Sequence, residues 1–134
     1  MMERIRPRLL LLAVICGALV VPLVGCDDDG PTRPPRRAAL ASRGALEFSC
    51  GLNCSYEGEA FNGGDGCATR VRGITRLLRA DGSELANDEW QLAPQRRIVV
   101  GEAFLYGDCC FSLSDVNNMG SYRTELFWDD ASCN

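Results

Sequence analysis

Eight cysteines and no histidine frame the chemistry open to this 134-residue chain. Every basic residue is arginine. Ser112, Ser114 and Asp115 lie close in sequence, but with neither imidazole nor lysine nothing nearby activates a serine as a nucleophile. Glu57 and Glu59, two apart in "SYEGEAF", share a face of a strand as glycosidase carboxylates would. Outward acids on a solvated strand are the plainer reading. Cys50-x3-Cys54 and Cys109-Cys110 could offer thiolates to zinc, yet the short knuckle spacing is absent. A C-x-x-C-H haem site and a C-x-x-C redox pair are missing as well. We therefore expect no metal, no cofactor and no catalytic residue.

The N-terminus carries chemistry of another kind. Arg4, Arg6 and Arg8 form a basic n-region, Leu9 to Val21 an apolar h-region, and small residues precede a candidate cleavage point. A membrane-spanning helix needs about 20 apolar residues; this run stops at Val24 and contains Pro22. Directly behind it, Leu23-Val24-Gly25-Cys26 resembles the lipobox of bacterial lipoproteins: an apolar residue, a small or branched one, Gly or Ala, then the obligatory cysteine. The resemblance implies that residues 1–25 are a signal peptide and that Cys26 is lipidated. The chain would then be held on the extracytoplasmic side of a membrane by multiple acyl chains, each buried methylene contributing about 0.8 kcal/mol. In enteric bacteria, an aspartate directly after the lipidated cysteine resembles a signal for retention at the inner membrane, so Asp27 raises that option.

Residues 26–44 read as a disordered linker. "DDDGPTRPPRRAALASRG" has three prolines, charges of both signs and almost no large apolar residue, too little to offset the entropy of ordering. The Pro-rich part should be extended and space a folded domain from the bilayer. Asp27 to Asp29 have the oxygens a hard cation takes, without the interleaved glycine and bidentate Glu of a calcium loop, so a solvated run is expected. Removing the signal leaves roughly 109 residues, enough for one modest core that benefits from staples. From Cys26 onward 11 arginines face 17 acids, a net charge of about −6. No basic surface for nucleic acid follows from that balance.

From Ala45 the texture changes to short alternating segments between turn signals. Residues 45–50, 55–61, 67–79, 83–92, 97–106, 109–116 and 121–130 read as strands, and "ADGS" (80–83) and "NNMG" (117–120) as turns. Residues 67–79 also fit a helix; β-branched residues and period 2 favour strand, with a phase shift at Gly73-Ile74 that suggests a β-bulge. In the last segment Tyr122, Thr124, Leu126 and Trp128 fall on one face. Seven short strands and no convincing helix predict an all-β, immunoglobulin-like antiparallel sandwich over residues 45–134. The order "YEGEAFNGG … VRGITRLLRADGSEL … LAPQRRIVVGEAF … YRTELFW" resembles the small extracytoplasmic domains of the FxLyD type. That resemblance implies fold and location and carries no catalytic residues; Pro94 is followed by Gln95 where the family has Pro-Gly.

With Cys16 removed in the signal and Cys26 given to lipid, Cys50, Cys54, Cys67, Cys109, Cys110 and Cys133 remain. An even set in a small exported domain predicts a disulfide framework of open connectivity. Cys109 and Cys110, adjacent on a strand, should point to opposite faces and reach two different elements, while Cys133 fastens the C-terminal end. Tyr56, Trp90, Phe127 and Trp128 are candidate binding aromatics; core packing accounts for most of them, and one of the adjacent Phe127 and Trp128 should be exposed. The expected function is a non-enzymatic, lipid-anchored envelope protein whose domain binds a protein, a glycan or a surface polymer. A structural accessory domain with no ligand is the alternative, and a hydrolytic enzyme the third.

Overall fold

The computed structural model describes residues 33–134, of which Pro35–Asn134 form one compact unit. The signal segment, the lipobox, Cys26 and Asp27 lie outside the described residues. Seven strands follow in order: β1 (Leu40–Cys50), β2 (Asn53–Asn62), β3 (Cys67–Leu78), β4 (Glu84–Gln91), β5 (Arg97–Ile98), β6 (Ala103–Ser112) and β7 (Ser121–Ala131), with a short helix α1 (Leu113–Asn118) before the last. All pairings are antiparallel. One sheet has the order β1-β2-β6; in the other, β3 is central, with β7 along one side and β4 and β5 sharing the other. The chain is thus the expected all-β antiparallel sandwich, held by disulfides.

Period-2 patterning decides which faces meet. On β2, Cys54, Tyr56, Gly58, Ala60 and Asn62 turn inward; on β3, Val71, Gly73, Thr75 and Leu77 do so. Leu46, Trp90, Ile98, Phe104, Tyr106 and Phe111 complete the core, and Tyr122, Leu126 and Trp128 pack on it from the predicted face of β7. Each large apolar side chain so buried contributes about 1.5–3 kcal/mol. The β3–β4 hairpin turns where "ADGS" predicts: Gly82 takes φ +84° and its N–H donates to the Arg79 carbonyl at 2.9 Å.

Several expectations are corrected. The strand expected for residues 67–79 forms, over Cys67–Leu78, but its bulge is elsewhere. The alternation on β3 runs through Gly73 without a break, and the bulge sits earlier, where Arg70 and Val71 together oppose Trp128. Arg70 there adopts φ +49° and pairs its guanidinium with Asp129. Gly73 serves packing instead: a Cβ at that position would collide with the Trp90 ring. The segment 97–106 is two strands in different sheets, because Val99–Glu102 form a turn with Gly101 at φ +80° and the Glu102 N–H donating to the Val99 carbonyl at 3.1 Å. Residues 113–118 are helical, since Ser112 caps them: its Oγ accepts the Asp115 N–H at 3.0 Å.

The folded unit also starts ahead of the expected linker end at residue 44. β1 begins at Leu40, and Ala38 is buried. The lead-in is tied down by side chains far along the chain: the N–H groups of Arg37, Ala38 and Ala39 donate to Asp65, Asp130 and Asn62 at 2.9, 2.8 and 3.1 Å. Composition alone does not reveal such partners.

Candidate functional site

The six cysteines pair among themselves. Cys50 joins Cys54 across the turn between β1 and β2, and Cys67 at the start of β3 joins Cys133 beyond β7. Cys133 thereby fastens the C-terminal end, as the sequence suggests. Cys109 and Cys110 join each other rather than two different elements. The reason is a register break: Cys54 faces Phe111 and Ser55 faces Cys109, so Cys110 is an extra residue without a partner on β2. Strict alternation fails at such a bulge. Both residues are exposed.

The four candidate aromatics do not form one platform. Trp90 is buried, stacks on Tyr106 with ring centroids 4.6 Å apart, and donates from Nε1 to Thr75 Oγ1 at 3.3 Å. Tyr56 is buried beside Phe111, and its hydroxyl donates to Asp88 Oδ2 at 2.8 Å. Burial, then the bond and charge of Asp88, holds this phenol far above the ordinary tyrosine range. Trp128 is half-buried against the core. Phe127 alone faces outward, 39 % exposed, with the Arg72 guanidinium 5.9 Å from its ring centre.

Phe127 and Arg72 are cross-strand partners on β7 and β3, and the next partners along the same face are Ile74 and Glu125. Opposite them on β4, Gln91 faces Arg72 and Glu89 faces Ile74. Phe127, Arg72, Ile74, Gln91 and Glu89, together with Gly73, Trp90 and Asp108, line an open groove of about 590 Å³. Its lining mixes the apolar side chains of Phe127, Ile74 and Trp90 with a guanidinium, a carboxamide and carboxylates. A second groove of about 630 Å³ shares Trp90, Gln91 and Asp108 and extends toward Leu105, Tyr106 and Glu57. A flat group with one apolar face and polar edges fits the first arrangement. Phe127 and Trp90 are legible as candidates in the sequence, but Arg72, Ile74, Glu89 and Gln91 are not, because β3 and β4 bring them from 35 or more positions away from Phe127.

The acid and serine candidates have structural employment. Glu57 and Glu59 do share the outer face of β2; Glu59 pairs with Arg43, and Glu57 stands between Glu47 on β1 and Gly107 on β6. Ser112 holds the start of α1, and Ser114 accepts from the Asn118 side chain through its carbonyl at 2.7 Å. Among the described residues no cluster of metal-ligating side chains occurs.

Asn62 carries no signal of its role in the sequence and is the most engaged polar side chain of the core. It is fully buried, donates from Nδ2 to the carbonyls of Gly66 and Ile98 at 2.9 and 3.3 Å, and accepts at Oδ1 from Ala39 and Gly64, both at 3.1 Å. An asparagine followed by Gly63-Gly64 reads only as a turn signal. The architecture is that of a disulfide-stapled β-sandwich domain. Compared with protein-family models, curated proteins and solved structures, the chain matches none.

Proposed function

We propose that this chain is a non-enzymatic lipoprotein of the bacterial envelope, anchored through Cys26, whose sandwich binds an extracytoplasmic partner. The address rests on Leu23-Val24-Gly25-Cys26 closing a signal peptide, with the FxLyD-like strand pattern in support. Pairing of all six later cysteines suits an oxidising compartment. The observation that carries binding is Phe127: an aromatic ring left outward in a groove with Arg72, Ile74, Glu89 and Gln91, while the other large aromatics of β4 and β7 are packed. The partner is a protein, glycan or surface polymer that lays an apolar face on Phe127 and its polar groups on the guanidinium, carboxamide and carboxylates of the groove.

Sedimentation of the compact unit Pro35–Asn134, which lacks the acyl anchor, with envelope fractions from the source cells tests this reading. Wild type should co-sediment, and Phe127→Ser with Arg72→Ala should weaken retention by at least about tenfold, since a buried aromatic anchor contributes about 2 kcal/mol or more at an interface. Equal retention of both proteins would overturn the groove as binding site. No retention of either would favour the accessory domain without a ligand of its own.

A further inference from the structure

On the side away from β3 the backbone groups of β7 are unpaired, although β1 and its lead-in reach that strand's side chains at both ends: the Asp130 carboxylate accepts the Ala38 N–H at 2.8 Å and the Tyr122 hydroxyl accepts the Leu46 N–H at 2.9 Å. β7 pairs with β3 from Cys67 to Leu78, and among the described residues no other strand, turn or side chain takes a backbone donor or acceptor of Ser121–Ala131. The other edges are interrupted. β1 has a register break next to Gly44 at φ +71°, β6 carries the extra residue Cys110, and β4 spans eight residues. β7 runs for eleven residues without glycine or proline, and the irregularity between it and β3 is the extra residue on β3. A long regular edge is a template for another strand.

We propose that this edge pairs antiparallel with the β7 edge of a second copy, with the two-fold axis at Leu126. Because side chains alternate with period 2, strands that keep core and outer faces continuous must be centred on a single residue. Centring on Glu125 sets that carboxylate against itself, and centring on Phe127 sets Glu125 against Asp129 twice. Centring on Thr124 leaves the end of the strand from Trp128 onward unpaired. Centring on Leu126 pairs all eleven residues: Leu126 with itself, Thr124 with Trp128, Glu125 with Phe127, and Arg123 with Asp129 twice. The last pair is charge-complementary on the outer face. In one copy these groups are surface side chains paired only with neighbours, Arg123 with Glu125 and Asp129 with Arg70. The dimer would join two β3-centred sheets into one and set the two Phe127 grooves on a common face; it does not depend on what those grooves bind.

Native mass spectrometry of the full chain released from detergent, at micromolar concentration, reads the outcome. Wild type should be dimeric. Arg123→Asp and Asp129→Arg should each weaken the dimer by about 30-fold, because two attractive cross-strand pairs become two repulsive ones. Mixing the two variants should restore a heterodimer, since the two acids of one copy at positions 123 and 129 then meet the two arginines of the other; a misfolded variant would not recover in this way. A monomeric wild type, a dimer indifferent to both reversals, or a different chain seated on β7 would each overturn the proposal.

Discussion

Replacing Asn62 by alanine should cost this domain about 4 kcal/mol, a large fraction of the 5–15 kcal/mol that holds a typical domain folded. The carboxamide works at full capacity: two donors and two acceptor positions are all engaged. Alanine leaves the Gly66 and Ile98 carbonyls buried without their partner and frees the N–H groups of Ala39 and Gly64. Each bond contributes about 1 kcal/mol net, and an orphaned buried group costs about 1–3 kcal/mol. The three segments released are the lead-in to β1, the β2–β3 loop and β5, so hydrogen exchange should accelerate first at Ala39, Gly64 and Gly66. Urea unfolding followed by tryptophan fluorescence would read a midpoint lowered by about 2–3 M, taking a slope of about 1.5 kcal/mol/M. Asn62→Asp keeps the shape but turns a carboxylate toward two carbonyls. Folding would raise its carboxyl pKa above the unfolded value of about 3.9, so the loss should be full above the raised pKa, shrink as pH falls from there toward about 4, and be smallest below that, where the acid keeps a donor. A loss under about 1 kcal/mol for Asn62→Ala, or a pH-independent loss for Asn62→Asp, would refute the reasoning.

Other outcomes follow from the same structure. Removing Cys67–Cys133, which links residues 66 apart, should cost about 4 kcal/mol by chain entropy, against about 2 kcal/mol for Cys50–Cys54 with its separation of 4; equal urea midpoints for the two double-alanine variants would contradict the connectivity. Tyr56 has its pKa raised by burial and by Asp88, so the stability it contributes is complete below about pH 10 and lost as pH rises beyond it. Alkaline unfolding should therefore shift to higher pH in Tyr56→Phe, and an unchanged curve would show that another group triggers it. Gly73→Ala should destabilise by about 1–3 kcal/mol through collision with the Trp90 ring, and in a Trp90→Leu background by clearly less. Additive losses in that double-mutant cycle would place Trp90 elsewhere.

Strands with clean alternation were legible because one face of each is buried: β2 reads correctly from Tyr56 to Phe61, and β7 separates Phe127 from Trp128 as its parity requires. What escaped depends on partners distant in sequence. Arg70 carries no residue-type signal for the left-handed conformation it adopts, whereas Gly73, the more obvious bulge candidate, is small because Trp90 lies over it. Cys110 falls out of alternation only because β2 and β6 slip by one residue there, which no local pattern records. The start of β1 is invisible for the same reason, since Asp65, Asn62 and Asp130 supply what the lead-in lacks. Phe127 could be singled out in advance, but its groove could not, because that is a property of the β3 and β4 register.

The proposed lipid on Cys26 and the three bridges among Cys50, Cys54, Cys67, Cys109, Cys110 and Cys133 give the mature protein a defined mass. The mass of the mature protein, alkylated without reduction, tests both at once. An N-terminus at Cys26 carrying acyl chains, with no alkylated thiol, is the expected result. An unacylated chain, or one with several alkylated cysteines, would contradict it.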